Sequence, residues 1–180
     1  MAAGRSSRFG ENKLLAQYGG RSLIERALSA VPADRLDSVV VVTHFDEVCA
    51  LAGDHGFGTA WNGRPEDGIS LTIRIGLTML RDMDAVIFMV CDQPKLTRAS
   101  VAAEVDFYCE HPGFIVSMSA GGARGNPCIF PSEYFGELGA LTGDAGGSAV
   151  IRNHEDSLRL FELEDASELS DIDSQADIRM

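Results

Sequence analysis

Short apolar runs alternate along the chain with longer segments in which apolar residues recur every three or four positions. The run of valines from Val39 to Val42 is β-branched throughout, which favours a strand buried on both faces. In contrast, Leu71, Ile75 and Met79 are spaced so that they share one face of a helix. Strands are predicted on this basis over 39–43, 57–61, 85–90, 114–118, 128–130 and, as an edge strand, 158–163. Helices are predicted over 69–83, 97–108, 132–141 and 146–153, with a polar loop at 120–126.

Two further helix starts are marked by capping residues. Ser22 and Glu25 have the spacing of a capping box, and an apolar helical face follows them. Asp46 is predicted to cap a short helix over 48–52, which ends in the glycine-containing region 53–58.

Strands that are separated by helices of ten to fifteen residues indicate βαβ units. We therefore expect one α/β domain over residues 1–180, built on a mainly parallel sheet. Right-handed crossovers between parallel strands place ligands at the carboxyl ends of the strands, so chemistry is sought there.

The composition is that of an ordinary globular protein, with 45% hydrophobic and 23% charged residues. A net charge of -12 argues against nucleic acid as a partner, because binding to a phosphate backbone needs a basic face. No apolar run approaches the roughly 20 residues that cross a bilayer, so no membrane partner is expected. The cysteines are too widely spaced for a disulfide framework or a zinc site, which favours a reduced, cytoplasmic protein. They are Cys49, Cys91, Cys109 and Cys128.

The N-terminal segment 2–13 departs from the acidic average of the chain. Small residues and cations alternate in it, and Arg5, Arg8 and Lys13 supply the positive charge. Backbone N–H groups of a glycine-rich loop can approach an anion closely, so this segment suits a polyphosphate. The alternative is a solvated N-terminus whose arginines bind nothing, and the residues alone leave both interpretations open.

Two aspartates are candidates for holding a metal ion. Asp92 follows the apolar run 85–90, and a carboxylate at the end of a buried strand is a ligand that Mg²⁺ prefers. Asp173 lies in the acidic segment 162–177. The alternatives are that Asp92 caps the turn before Pro94 and that the acidic segment is a solvated tail.

At these same stretches the sequence resembles a known family. Residues 2–13 resemble the LAAGxSxRMGxxK loop of nucleotidyltransferases, and residues 91–94 resemble the GDQP element of the molybdenum cofactor cytidylyltransferases. Residues 171–174 resemble the DIDTPED ending of that family, and residues 68–77 resemble its GMSxSLRxGL segment. The resemblance extends over residues 2 to about 177.

The resemblance implies a three-layer αβα, Rossmann-like nucleotidyltransferase fold. It also implies a buried central strand ahead of the glycine-rich loop, for which this chain, beginning at Met1, has no residues. By the resemblance the catalytic residues are Arg8, Lys13 and Asp92, and Mg²⁺ is held by Asp92 and Asp173, with Asp173 favoured over Asp171. The implied residues for nucleotide and cofactor binding are Ala3, Gly4, Arg5, Ser6, Gly10, Asn62, Gly68, Ser70, Gly125, Asn126 and Asp144.

The activity implied is Mg²⁺-dependent transfer of CMP from CTP to the terminal phosphate of the molybdopterin or molybdenum cofactor, with release of pyrophosphate. The implied partners are CTP, a phosphorylated pterin and a molybdoenzyme that receives the product. Asn126 replaces a histidine of the family and Ser148 replaces an arginine, which leaves the acceptor open. The alternatives are transfer of another nucleotide or to another phosphate acceptor, and a non-catalytic chaperone that binds a nucleotide or cofactor.

Overall fold

The computed structural model describes residues 1–2 and 12–179. Its strands are β1 (Gln17–Tyr18), β2 (Arg21–Ser22), β3 (Val40–Thr43), β4 (Gly58–Trp61), β5 (Ala85–Phe88), β6 (Ile115–Ala120), β7 (Ala123–Pro131) and β8 (Leu158–Glu162). Its α-helices are α1 (Leu23–Ser29), α2 (Asp46–Asp54), α3 (Ile69–Met79), α4 (Arg98–Glu110), α5 (Phe135–Ala140) and α6 (Gly147–Asn153). Every strand and helix predicted from the sequence is present, with ends shifted by a few residues.

The capping box predicted for α1 is confirmed. The Glu25 amide donates to Ser22 Oγ at 3.3 Å, and the Ser22 amide donates to Glu25 Oε2 at 2.8 Å. The prediction for Asp46 is wrong in detail. Asp46 is the first residue of α2, and the residue at the cap, Phe45, makes no capping hydrogen bond through its side chain.

The prediction of a mainly parallel sheet is also wrong, because the sheet is mixed. β3 pairs with β4 in parallel, while the other main sheet has the order β5-β7-β6-β8. In that sheet β7 is antiparallel to both β5 and β6, and only β6 and β8 run in parallel. The physical reason lies in the predicted polar loop: Gly121 and Gly122, both with positive φ, turn the chain within two residues. So tight a connection can join only antiparallel strands.

Alternate side chains of the strands pack against helices on opposite faces, which gives three layers. Val86 and Phe88 of β5 pack with α3, α5 and α6. Their neighbour Ile87 points to the other face, where it packs with α4. Val41 of β3 faces this second helical layer too, in contact with α1 and α2. In the described part of the chain, no helix is long and apolar enough to span a membrane.

A gap separates β3 from β5. The Ala2 amide donates to the Val42 carbonyl at 3.0 Å, and the Met1 amino group donates to the Met89 carbonyl. Beyond this bridge, an apolar cavity of about 300 Å³ runs between the two strands.

Glu104 is an ionisable residue whose side chain is fully buried. It lies on α4 with 0% of its surface exposed, and neither carboxyl oxygen has a hydrogen-bond partner among the described residues. Burial raises the pKa of Glu104 well above its usual value, and the nearby Met118 backbone, which is not placed for a full hydrogen bond, offsets only part of the rise. The side chain is therefore neutral over a pH range in which an exposed glutamate is ionised.

Stability should fall as pH rises because of Glu104. In the unfolded chain this carboxyl titrates near 4.5, so its stabilising effect on the fold is complete below that pH. It is lost as pH rises through the higher pKa of the folded state, with a slope of up to about 1.4 kcal/mol per pH unit. Urea denaturation between about pH 5 and 8 should show this slope in the parent and not in Glu104→Gln. Exposed Glu110 on the same helix gives the control, since Glu110→Gln should keep the parental slope, and equal slopes in all three proteins would contradict the assignment.

Candidate active site

The predicted catalytic residues Lys13 and Asp92 meet beyond the carboxyl end of β5. Lys13 Nζ donates to Asp92 Oδ2 at 3.0 Å and lies 3.9 Å from Asp173 Oδ1. The Lys13 side chain is only 13% exposed, whereas that of Asp173 is 76% exposed. One largely buried ammonium group thus lies between two carboxylates that come from distant parts of the sequence.

Local packing brings Lys13 to this position. It begins a single turn of 3-10 helix, Lys13–Leu15, and Asn12 caps the turn by accepting a hydrogen bond from the Leu14 amide at 3.1 Å. Leu14 is buried in the cluster that α1 and α2 share with β3. Because Leu14 is anchored, the neighbouring Lys13 side chain is directed across the strand end toward Asp92.

The C-terminal segment reaches the same strand end through main-chain and apolar contacts. The Ile172 amide donates to the Asp92 carbonyl at 2.8 Å, and the Ile172 side chain packs against Leu23 of α1. Asp177 then accepts hydrogen bonds from the amides of Asp173 and Ser174 at 3.0 Å and 2.7 Å. The acidic segment is therefore docked on the site, and the interpretation of residues 171–174 as part of a solvated tail is wrong.

A third carboxylate, Asp171, lies near those of Asp92 and Asp173. Burial raises the pKa of Asp171, and the negative charge of Asp92 raises it further, while a hydrogen bond with Gln93 acts in the opposite direction. The charges of Asp92, Asp173 and Lys13 all shift the pKa of Asp171, so these four side chains lie close enough to interact electrostatically.

The residues present fit a hard divalent cation with an incomplete set of protein ligands. Among the described residues no three histidine, cysteine, aspartate or glutamate side chains are placed to surround one ion. Two carboxylates remain within reach of one point, the Lys13 ammonium group. Mg²⁺ commonly binds through one or two carboxylates and completes its shell with water and phosphate oxygens, so such a site suits a phosphorylated substrate.

A second cavity, of about 230 Å³, is lined by segments that the resemblance assigns to ligand binding. Gly125 and Asn126 line it from β7, and residues 146–148 line it from the start of α6. Its floor is apolar, formed by Ile69, Ile73, Phe88 and Phe130. Val90, two residues before Asp92 in the sequence, also lines the cavity.

Two residues that line this cavity, Arg124 and Cys128, are not among the site residues predicted from the sequence. Arg124 lines the cavity with an exposed side chain, and its place in a polar loop of unknown geometry gave no signal. Cys128 also lines it, and burial raises the pKa of this thiol to about 11. Burial likewise raises the pKa of the Cys91 thiol, which keeps this thiol protonated and disfavours a nucleophilic role.

The side chain of Asn62 forms hydrogen bonds within the protein. It is fully buried, its amide nitrogen donates to Thr72 Oγ1 at 3.1 Å, and its Oδ1 accepts from the Arg64 amide at 3.0 Å. The side chain therefore ties the end of β4 to α3. Contact with a base or ribose, which the sequence suggested, would have to come from the loop that Asn62 holds.

Gly68 and Ser70 lie under the loop that contains Asp144. A Cβ atom on Gly68, which has a φ of +87°, would lie 2.3 Å from the Gly143 carbonyl oxygen and 2.8 Å from Asp144 Oδ1. The Ser70 amide donates to the same Gly143 carbonyl at 3.1 Å, and its buried hydroxyl has no partner in the described residues. The structure thus brings these three predicted residues together, but none of them lines the cavity of Asn126.

The remaining predicted residues lie outside the described part of the chain. They are Ala3, Gly4, Arg5, Ser6, Arg8 and Gly10.

Two solved structures show the same fold. Rv0371c from Mycobacterium tuberculosis H37Rv superposes with a TM-score of 0.78 at 22% identity, over 99% of this chain and 93% of that one. A nucleotidyl transferase from Methanothermobacter, Mth528, gives a TM-score of 0.79 at 22% identity, over 98% and 90% of the two chains.

The chain belongs to the MobA-like NTP transferase domain family, whose model matches residues 1–158. It is also similar to the purine catabolism protein PucB of Bacillus subtilis strain 168. The two are 28% identical over 196 aligned positions, which cover 100% of this chain and 92% of PucB.

Because Gly68 packs against Gly143, we expect Gly68→Ala to lower the stability of the fold. The substitution places a methyl group against a backbone carbonyl and forces alanine into a conformation that costs about 1–3 kcal/mol by itself. Gly113 has a nearly identical φ of +86° with nothing within 4 Å of its Cβ position, so Gly113→Ala measures the conformational cost alone. Urea denaturation should give Gly68→Ala at least about twice the loss of Gly113→Ala. Equal losses would mean that residues 68 and 143 do not pack together.

Proposed function

We propose that this nucleotidyltransferase transfers CMP from CTP to the terminal phosphate of a molybdopterin or molybdenum cofactor and releases pyrophosphate. The observation that carries the proposal is the cluster of Lys13, Asp92 and Asp173, together with a cavity lined by Arg124 and Asn126. The first set suits the reacting phosphates with a divalent cation. The second suits an acceptor that combines an apolar body with a polar or anionic end.

Chemistry of this kind depends on positioning and on charge neutralisation. The attacking group is a phosphate that is already anionic near neutral pH, so no general base is required. A Mg²⁺ ion at Asp92 and Asp173 would supply Lewis-acid neutralisation of the α-phosphate. With the carboxylates engaged in this way, the Lys13 ammonium group would contact the α-phosphate and the departing pyrophosphate.

The roles of the N-terminal loop in this proposal come from the sequence. Arg8 would neutralise charge on the triphosphate, and the backbone from Gly4 to Gly10, with Ala3, Arg5 and Ser6, would surround the β- and γ-phosphates. Lys13, which follows this loop in the sequence, lies beside Asp92.

Two structural relatives favour CTP and a divalent metal. Rv0371c from Mycobacterium tuberculosis has been solved in complex with manganese. CMP:2-keto-3-deoxy-manno-octonic acid synthetase has been solved with CTP, and it has the same fold with a TM-score of 0.73 at 12% identity. Neither relative speaks to the acceptor, for which the pterin rests on the resemblance of the motifs.

A second candidate is transfer to a different phosphate acceptor. It is favoured by Asn126 and Ser148, which stand in the cavity where the family has histidine and arginine. The molybdoenzyme as a recipient of the product belongs to the first candidate only.

The nucleotide and the acceptor should be separable by measuring pyrophosphate release. With Mg²⁺, release is expected only when CTP and the phosphorylated pterin are both present, and replacing CTP by GTP or ATP should reduce it at least about tenfold. Release with CTP and a sugar or alcohol phosphate, but not with the pterin, would transfer the assignment to the second candidate. Binding of CTP without release for any acceptor would favour a non-catalytic role.

Asp92→Asn should remove turnover and leave the fold intact. Loss of a carboxylate that neutralises the reacting phosphates through a metal is expected to lower kcat by roughly 100- to 1000-fold. Asp173→Asn should lower kcat similarly and Asp171→Asn less, with melting temperatures close to that of the parent. Asp82, whose side chain is 83% exposed, supplies the matched control, because Asp82→Asn should leave kcat unchanged. Near-parental activity of Asp92→Asn would overturn the assignment of the metal site.

A further inference from the structure

The cavity of Asn126 combines an apolar floor with one positive charge. Among the lining residues that the structure describes, Arg124 alone is charged. Phe88 and Phe130 belong to the floor, and Asn126 and Ser148 add neutral polar groups. An isolated cation at a cavity departs from the acidic composition of a chain with net charge -12. Charge complementarity therefore favours a ligand that has an anionic group.

A bulge in β7 brings Arg124 to the cavity. Ser117 of β6 lies opposite Cys128 and Ser119 lies opposite Arg124, so β7 carries three residues, 125–127, opposite Met118. At about 3.3 Å per residue, Arg124 is roughly 7 Å along the sheet from Cys128, instead of about 13 Å in a regular strand. Bulges of this kind redirect side chains and are frequent beside binding sites.

Side-chain contacts fix the backbone on the bulge side of Arg124. Ser117 Oγ donates to the Gly125 carbonyl at 3.0 Å. Leu169 packs against Gly125 so closely that a Cβ atom there would lie 2.9 Å from its side chain. The Leu169 carbonyl in turn accepts a hydrogen bond from the Gln93 side chain, at 3.4 Å. The residue beside Arg124 is thus anchored to the segment that also contacts the neighbour of Asp92.

Glu162 of β8 fixes the turn on the other side. One oxygen of its carboxylate accepts a hydrogen bond from the Gly122 amide at 3.2 Å, and the other accepts from Ser119 Oγ. Both oxygens are therefore engaged, although Glu162 and Arg124 lie opposite the same residue, Ser119. With both flanks held, the position of the Arg124 Cα atom is well defined.

The guanidinium group itself is free to bind a ligand. Within the described part of the chain, Arg124 forms neither an ion pair nor a side-chain hydrogen bond. Burial raises the pKa of the Cys128 thiol, and the positive charge of Arg124 acts in the opposite direction. The charge of Arg124 therefore reaches the wall of the cavity.

We propose that Arg124 is the specificity-determining residue of this cavity and binds the phosphate of an acceptor whose ring system lies on the apolar floor. The inference rests on the proposed function, in which the cavity holds the acceptor. A guanidinium group can donate two parallel hydrogen bonds to phosphate oxygens, which fixes the orientation of the bound group as well as its charge. An apolar cavity of about 150 Å³ can hold benzene, so one of about 230 Å³ has room for an aromatic ring and a phosphate.

The test uses two small probes that share a ring and differ in charge. Phenyl phosphate carries the anion, and benzyl alcohol has a neutral hydroxyl group in its place. The full chain is titrated without nucleotide or metal, and binding is followed through the NMR signals of the Gly125, Gly146 and Gly147 amides, which line the cavity. The parent should bind phenyl phosphate at least about tenfold more tightly than benzyl alcohol, because hydrogen bonds to a charged group are strong.

Three variants identify the group that recognises the anion. Arg124→Gln should bring the two dissociation constants within about threefold of each other, because the charge-assisted hydrogen bonds are lost. Arg124→Lys should keep part of the preference, since lysine keeps the charge without the paired donors. Arg81, whose side chain is 78% exposed, gives the control, and Arg81→Gln should keep the parental preference.

The inference is overturned by any of three results. One is a tenfold preference for phenyl phosphate that survives in Arg124→Gln. The others are equal affinities of the parent for both probes, and phenyl phosphate binding that leaves the signals of Gly125, Gly146 and Gly147 unchanged.

Turnover separates this inference from the proposed function. In the assay of pyrophosphate release, Arg124→Gln should raise the KM for the phosphorylated acceptor at least about tenfold and leave the KM for CTP within about twofold. An unchanged KM for the acceptor would contradict the role of Arg124. If the parent releases no pyrophosphate with any acceptor, the proposed function is wrong, and the titrations with phenyl phosphate and benzyl alcohol still decide whether Arg124 binds the anion.

Discussion

The relative position of β3 and β5 is the constraint on which the site depends. β5 leads to Asp92, β3 positions β4 and hence Asn62, and the Leu14 cluster that directs Lys13 packs on β3. In the described residues the main-chain link between the two strands consists of Met1 and Ala2, which bond to Met89 and Val42. Helices on both faces hold the rest of the arrangement, with α3 touching β3 on one face and α1 on the other. The site is therefore assembled from residues on both sides of the boundary between β3 and β5. Its geometry depends on how the two strands are held relative to each other.

Electrostatic interactions are the second constraint on the site. A chain of net charge -12 gathers Asp92, Asp171 and Asp173 at one strand end and places the Lys13 ammonium group among them. The negative charges repel one another, so the C-terminal segment docks there only because other contacts offset that repulsion. Those contacts are visible: the Ile172 amide on the Asp92 carbonyl, the Ile172 side chain on Leu23, and the cap that Asp177 provides. A surplus of negative charge with one counter-ion is also the condition in which an additional cation binds favourably.

Local signals in the sequence predicted most of the elements, whereas long-range contacts were beyond its reach. The valine run and the Ser22–Glu25 pattern are decided by neighbours in the chain, and both predictions are confirmed. The direction of β7 depends on the two-residue turn at Gly121 and Gly122, and a polar composition alone does not distinguish a turn from a longer loop. In the same way, the motifs located Asp92 and residues 171–174, but not the ion pair with Lys13. That pair spans 79 residues, and only the folded chain brings its members together.

The close approach of Gly68 to Gly143 has a consequence for how the loop that contains Gly143 can change. Gly68 begins the helix that Asn62 and Thr72 anchor, while Gly143 and Asp144 lie in the loop that leads to the cavity of Asn126. With the Gly143 carbonyl and the Asp144 side chain packed directly on the Gly68 backbone, neither turn can shift without moving the other. A graft that exchanges residues 143–148 for those of a relative would therefore have to bring the matching turn at 65–68 with it. The loop at 143–148 and the first turn of α3 are in this sense a single evolutionary unit, inherited or replaced together.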